Sequence, residues 1–97
     1  MTKMIIKKST KPEKDYMAVF KEGSKIVKTT HFGDSKLPHY TSGATDMQRE
    51  NYIRRHKKDL NTNDSMRAGY LSFYILWGES RSIRKNIKSY KERFGYD

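Results

Sequence analysis

The chain has 97 residues, a formal net charge of +10 at pH 7 and no cysteine. This length suits one small domain with a thin core, and we expect residues 1–97 to form a single domain. Without cysteine there are no disulfides and no thiolate metal sites, which favours an intracellular protein. The N-terminal apolar run is too short for a secretory signal. Residues 68–77 likewise fall far short of the ~20 apolar residues of a membrane span, so the sequence predicts a soluble protein.

The first third of the chain has the pattern of β-strands. Strands are predicted at residues 4–8, 16–21 and 25–32. Lys11-Pro12 and Gly23 interrupt the pattern, and apolar residues alternate with a period of two in the middle strand. We therefore predict a small antiparallel β-meander over residues 1–32, followed by an irregular loop over residues 33–45.

Residues 46–95 are predicted to be helical. Thr45 and Gln48 fit a capping box that opens a first helix, which runs to about Lys58. A second helix, about Met66–Trp77, is apolar on nearly every side and should be buried. The fold class is therefore α+β, a small N-terminal antiparallel β-meander followed by three helices.

The third helix begins after a Ser80 cap and stops at Gly95. Its apolar residues form a narrow stripe at helical spacing, which predicts packing on the second helix rather than binding to a membrane surface. The residues that we assign to an apolar core or interface are Tyr70, Phe73, Tyr74, Trp77, Ile83, Ile87 and Tyr90. Two other roles remain open for the aromatic run: a stacking platform for bases, or a patch for a protein partner.

Basic residues are concentrated in the helical part, where all seven arginines lie after residue 48. The residues predicted to bind a partner or nucleic acid are Arg54, Arg55, Lys57, Lys58, Arg81, Arg84, Lys85 and Lys88. Clusters of this kind bind phosphates by releasing counterions, although they are also typical of a solvated helix face or a localisation signal. An acidic protein surface is an equally good partner for them.

No pattern in the chain predicts catalysis, a metal site or a cofactor. The spacings of His31, His39 and His56 match no ligand motif, and there is no nucleophile elbow, phosphate loop or paired carboxylate site. We expect His56 to be a packed, hydrogen-bonded residue and His31 to end a strand. The sequence therefore predicts a protein that is not an enzyme.

Several segments, read in chain order, resemble a family of small basic proteins of giant, nucleocytoplasmic large DNA viruses. These segments are HFGDSKLPHYT at 31–41, YIRRHKKDLN at 52–61, AGYLSFYILW at 68–77 and IRKNIKSYKERF at 83–94. The resemblance implies a viral protein and no catalytic role. Large icosahedral particles need small basic proteins that join capsomers from inside.

We therefore expect a non-enzymatic minor structural component of the virion that bridges capsid proteins and is found in the host cell interior during assembly. The alternative is a basic nucleic-acid-binding or genome-packaging protein that uses the same helical faces. Salt dependence separates the two, because phosphate binding weakens steeply as salt increases.

Overall fold

Two consecutive hairpins build the N-terminal sheet in the computed structural model, which describes Met1–Asp97. The strand order is β1-β2-β3, and both pairings are antiparallel. The bounds of the strands and helices are β1 (Thr2–Lys8), β2 (Lys14–Glu22), β3 (Lys25–Asp34), α1 (Asp46–His56), α2 (Ala68–Leu71) and α3 (Ile83–Phe94). A three-stranded antiparallel sheet followed by three helices confirms the predicted α+β fold class.

The strands have the predicted order and are longer than predicted. The β3 strand runs to Asp34, two residues into the stretch predicted as an irregular loop, and that loop also holds a short 3₁₀ turn at Tyr40–Ser42. Residues Met4 and Phe20 face each other across β1 and β2 and are fully buried. Because side chains alternate along a strand, one face of the sheet covers the core and the other faces outward.

The start of α1 is as predicted, and so is the end of α3, where Gly95 in the left-handed conformation follows Phe94. The other helix ends differ from those expected. The capping box of Thr45 and Gln48 is confirmed: the Thr45 hydroxyl accepts from the Gln48 N–H, and the Gln48 side chain accepts from the Thr45 N–H. The α1 helix ends at His56 rather than at Lys58, and the chain tightens into a 3₁₀ segment, Lys57–Thr62.

A helix forms within the predicted range of about Met66–Trp77, but it is shorter than predicted and is not α-helical throughout. The α2 helix begins at Ala68 and passes at Ser72 into a wider π-helical turn, Ser72–Leu76, which the Trp77 N–H closes by donating to the Ser72 carbonyl. Widened turns of this kind often lie at functional sites. The Trp77 carbonyl that the turn leaves free accepts from the Arg49 side chain at 3.2 Å.

The prediction that Ser80 caps the last helix is wrong. Ser82 is the N-cap, and its hydroxyl accepts from the Lys85 N–H at 3.3 Å. Ser80 is held by Asn86 instead. The Asn86 amide donates to the Ser80 carbonyl at 2.7 Å and to the Ile75 carbonyl at 2.9 Å, and its oxygen accepts from the Ser80 N–H. The buried Asn86 therefore fixes the path of the chain between the π-helical turn and α3.

One hydrophobic cluster joins the sheet to the helices. Its buried members are Met4, Ala18, Phe20, Phe32, Ala44, Tyr70, Leu71, Ile75, Leu76, Trp77 and Tyr90. The C-terminus closes the same body, because the Asp97 N–H donates to the Thr2 carbonyl and the Met4 N–H donates to the Asp97 carbonyl. The core thus lies between the inner face of the sheet, the π-helical turn and α3.

Candidate functional site

The basic residues predicted to bind a partner all lie exposed at the surface. They divide into four on α1 and the following turn (Arg54, Arg55, Lys57, Lys58) and four at or near α3 (Arg81, Arg84, Lys85, Lys88). Seven of the eight make no ion pair within the chain. These seven cations are therefore free to meet an anionic partner.

Arg81 differs from the other seven because its guanidinium is tied to the fold. It lies 4.1 Å from the centre of the Tyr40 ring and donates to the carbonyls of Tyr40 and Ala44. The Asp46 carboxylate is 3.6 Å away. Arg81 thus holds the 3₁₀ turn against the start of α3, and its structural contacts set it apart from the free cations.

Most of the predicted apolar residues belong to the protein's own core. Tyr70, Trp77 and Tyr90 are buried in the cluster, and Tyr74, Ile83 and Ile87 pack against it as half-buried side chains. Phe73 is half-buried outside the cluster, with its ring near those of Tyr52 and Tyr74. The strongly exposed apolar side chains lie elsewhere, at Ile26, Val27, Leu37 and Met47 as well as Met1.

A cleft of about 580 Å³ opens between the end of β3, the loop after it, α1 and α2. We call it the central cleft. Its walls combine aromatic, amide, imidazole and charged side chains with several small residues. The cleft is lined by Lys14, Phe32, Gly33, Asp34, Leu37, Pro38, His39, Gln48, Asn51, Tyr52, Arg55, His56, Asp59, Ala68, Gly69, Ser72 and Trp77.

A row of four rings forms one side of the central cleft. The Tyr52 ring stacks on Trp77 at 4.4 Å and 5° and on His56 at 4.2 Å and 24°, so both of its faces are covered. The edge of the buried His39 ring meets Trp77 at 6.2 Å and 82°. These contacts fix the rings to one another and leave Tyr52 without an open face for a ligand.

A carboxylate pairs with the imidazole at each end of this row. His39 Nε2 lies 2.9 Å from an Asp15 oxygen, and His56 Nδ1 lies 2.9 Å from an Asp59 oxygen. Between them, burial raises the pKa of the Tyr52 phenol to about 12, and the neighbouring Ser72 side chain acts in the opposite direction. The phenol is therefore neutral at physiological pH and serves as a hydrogen-bonding group.

The central cleft has the chemistry of a binding site. Two cations, Lys14 and Arg55, face two carboxylates, Asp34 and Asp59, so its formal charge is zero with neutral imidazoles. No group of three or more His, Asp and Glu side chains is arranged to hold a metal ion. What the cleft offers a ligand is apolar wall, amide and hydroxyl groups, and a few charges.

Gly33 shows why the cleft forms at this place. Its backbone has φ of +87°, a left-handed conformation that suits glycine, and a Cβ there would lie 2.8 Å from Leu76 Cδ1 and 3.4 Å from His39 Nε2. The glycine therefore lets the end of β3 pass close to the π-helical turn and leaves room for His39.

A family profile matches residues 4–56, which is 53 of the 97 residues, and its description is a family of unknown function, DUF5754. The chain belongs to this family. The part that matches DUF5754 holds the sheet except for the first two residues of β1, together with the loop and α1. It therefore supplies His39, Tyr52 and His56 to the central cleft.

The other comparisons give no further relative: no curated protein and no solved structure matches the chain. None of its helices combines the length and the apolar character that crossing a membrane requires. The DUF5754 match includes Arg54 and Arg55, whereas the cations of α3 lie outside it.

The sequence predictions missed the central cleft. Asp15 and His39 are 24 residues apart in sequence, and no spacing rule connects them. A signal was nevertheless present, because Phe32 and Gly33, Tyr52 and His56, and Ala68 and Gly69 all lie in segments on which the expectation of a viral protein depends. Three of those segments meet at the cleft.

Proposed function

We propose that this protein is a non-enzymatic minor structural component of a large DNA virus particle and that it bridges neighbouring capsid proteins. The observation that carries the proposal is the set of seven exposed cations that make no ion pair within the chain. Solvated charges of one sign steer association with a surface of the opposite sign. The resemblance of its segments to small basic proteins of large DNA viruses supports the viral setting.

The exposed apolar side chains supply contacts that salt does not weaken. Ile26 and Val27 are consecutive residues of β3, an edge strand of the sheet, and are 55% and 46% exposed. Leu37 and Met47 are 61% and 72% exposed near the cleft and at the start of α1. Burying such side chains against a partner stabilises a complex in proportion to the apolar area removed from water.

The second candidate function is nucleic-acid binding or genome packaging. A run of four cations within five residues favours this function, because it suits a phosphate backbone; the four are Arg54, Arg55, Lys57 and Lys58. In that case the protein would lie with the genome and would bind DNA without need of the exposed apolar residues.

Attachment to empty, DNA-free particles of the encoding virus, compared with binding to a duplex oligonucleotide, tests the proposal. We expect attachment to empty particles that persists at high salt, and weak, sequence-insensitive DNA binding. If the seven free cations all contacted phosphates, the logarithm of DNA affinity would fall with a slope of about −6 against the logarithm of salt concentration.

A charge-reversed pair of variants sharpens this test. Lys57→Glu with Lys58→Glu should slow attachment to particles, whereas the matched control on the sheet, Lys7→Glu with Lys8→Glu, makes the same charge change away from the helices. Tight, sequence-selective DNA binding that survives high salt, together with no attachment to empty particles, would favour the second candidate function.

A further inference from the structure

We propose that the central cleft binds a peptide segment of the protein partner, and that this segment carries one large apolar side chain with acidic residues beside it. This inference rests on the proposed function, because it names the part of the surface at which a protein partner is held.

The size and walls of the cleft suit a side chain of a peptide. Its volume of about 580 Å³ falls within the range of roughly 300–1,000 Å³ that is usual for binding pockets. Trp77 contributes to its wall, Leu37 and Pro38 give it an apolar rim, and the small residues Ala68 and Gly69 leave the space open. The rim residue Leu37 is 61% exposed, so an apolar side chain that enters would cover it.

A row of polar side chains on α1 suits the backbone of an extended peptide. Gln48, Asn51 and Arg55 are spaced three and four residues apart, which puts them on one side of the helix, and all three are exposed and line the cleft. An asparagine or glutamine amide both donates and accepts, as a peptide group does. Ser72 adds a hydroxyl on the facing segment.

Charge separates a peptide from a nucleic acid as the occupant. The cleft itself has a formal charge of zero, so it does not attract a phosphate backbone as a basic groove would. The free cations Arg54, Lys57 and Lys58 lie just outside, beside the lining residues in sequence. An uncharged side chain in the cleft with acidic neighbours outside it matches this arrangement.

The stacked rings also argue against a base in the cleft. Bases bind to aromatic side chains through an open ring face. Both faces of Tyr52 are covered, by Trp77 and by His56. The amides of Gln48 and Asn51, which line the same cleft, are better suited to a peptide.

Selection from a displayed library of random dodecapeptides tests this inference with the whole protein. We expect the enriched peptides to share one large apolar residue flanked by Asp or Glu. In the wild type, such a peptide should shift the NMR signals of the Gly33 and Gly69 amides and of the Trp77 indole. Failure to enrich any peptide, or signal shifts confined to α3, would overturn the inference.

Two exposed cleft substitutions, each with a matched control, locate the binding. Leu37→Asp and Asn51→Trp should weaken peptide binding by at least about tenfold, whereas Asn61→Asp and Asn61→Trp, at an exposed position outside the cleft, should not. Equal binding by all four variants would overturn the inference. So would competition for the cleft by a single-stranded oligonucleotide.

The two proposals fail in different ways. Particle attachment that is unchanged in Leu37→Asp and Asn51→Trp would contradict the inference about the cleft and leave the proposed function standing. Peptide binding that depends on the cleft, in a protein that never attaches to empty particles, would contradict the proposed function and support the cleft as a peptide site.

Discussion

The sheet over residues 2–34 and the helical half over residues 46–94 differ in where their stabilising hydrogen bonds come from. The sheet is held by backbone ladders between strands that follow one another in sequence. In the helical half, side chains reach distant carbonyls: Arg49 binds Trp77 and Gly78, Asn86 binds Ile75 and Ser80, Tyr70 binds Leu60, and Tyr90 binds Ser65.

This difference explains how the helical half tolerates short and irregular elements. Helix ends leave carbonyls without partners, and buried carbonyls need a donor from somewhere. Side chains from other segments provide those donors here, and every buried polar side-chain atom also has a partner. Replacing one of these side chains in the helical half therefore breaks a contact between elements, whereas the ladder hydrogen bonds of the sheet join only neighbouring strands.

The largest expected effect comes from removing the indole at the centre of the helical half. Trp77 is buried in the core cluster and stacks on Tyr52. Trp77→Ala should lower the free energy of unfolding by about 3–5 kcal/mol, because it leaves a cavity, which is enough to unfold a domain of this size. Thermal melting by circular dichroism measures it. Cooperative melting within a few degrees of wild type would contradict the packing described.

Replacing one glycine by alanine in each half compares directly how much stability each half loses. A Cβ on Gly78 would lie 2.2 Å from the Tyr74 carbonyl oxygen and 2.8 Å from the Asn86 side chain, so Gly78→Ala forces the backbone to shift and should cost about 3 kcal/mol. Gly23, in the hairpin between β2 and β3, has open space around it but φ of +60°, and Gly23→Ala should cost about 1–2 kcal/mol. Urea unfolding of both variants shows which one loses more stability. A larger loss for Gly23→Ala than for Gly78→Ala would contradict this expectation.

Alkaline pH should destabilise the helical half through its buried phenols. Burial raises the pKa of Tyr52 to about 12 and raises that of Tyr90 as well. The unfolded chain loses the Tyr52 proton near pH 10 and the folded chain only near pH 12, so the contribution of Tyr52 is complete below pH 10. It is lost as pH rises between 10 and 12, by about 2–3 kcal/mol in all.

Unfolding free energies measured between pH 10 and 12 check whether stability decreases as the pH rises. Tyr52→Phe should reduce the loss of stability over this range, while the loss that comes from Tyr90 remains. A stability that increases between pH 10 and 12 would contradict the burial of these phenols.

The smallest effects are expected at the free cations. Arg84→Gln should change the free energy of unfolding by less than about 0.5 kcal/mol, since this side chain is exposed and unpaired. Arg81→Gln should cost about 1–2 kcal/mol, because it loses two carbonyl acceptors and the Tyr40 ring. Equal losses at the two positions would show that Arg81 is as free as its neighbours.

Local patterns made the sheet and the first helix start predictable. Alternation of apolar residues and the Gly23 turn place the strands to within two residues, and the capping box of Thr45 and Gln48 is a signal read within four residues. Both depend on neighbours in sequence. The fold class follows from these signals and from the apolar helical segments.

The irregular parts and the central cleft were not predictable in this way. The π-helical turn and the Ser82 cap depend on Arg49 and Asn86, which bind carbonyls up to 29 residues away in sequence. The cleft depends on a left-handed Gly33 and on the pairing of Asp15 with His39. Such contacts are set by tertiary packing, which periodicity does not describe.

The position of the protein in the intact particle tests the central claim most directly. A cryo-electron microscopy map of the virion is predicted to show it between neighbouring capsid proteins, with the cations of α1 and α3 facing carboxylates of those neighbours. A position wholly within the genome compartment, with the same cations against phosphates, would contradict the claim.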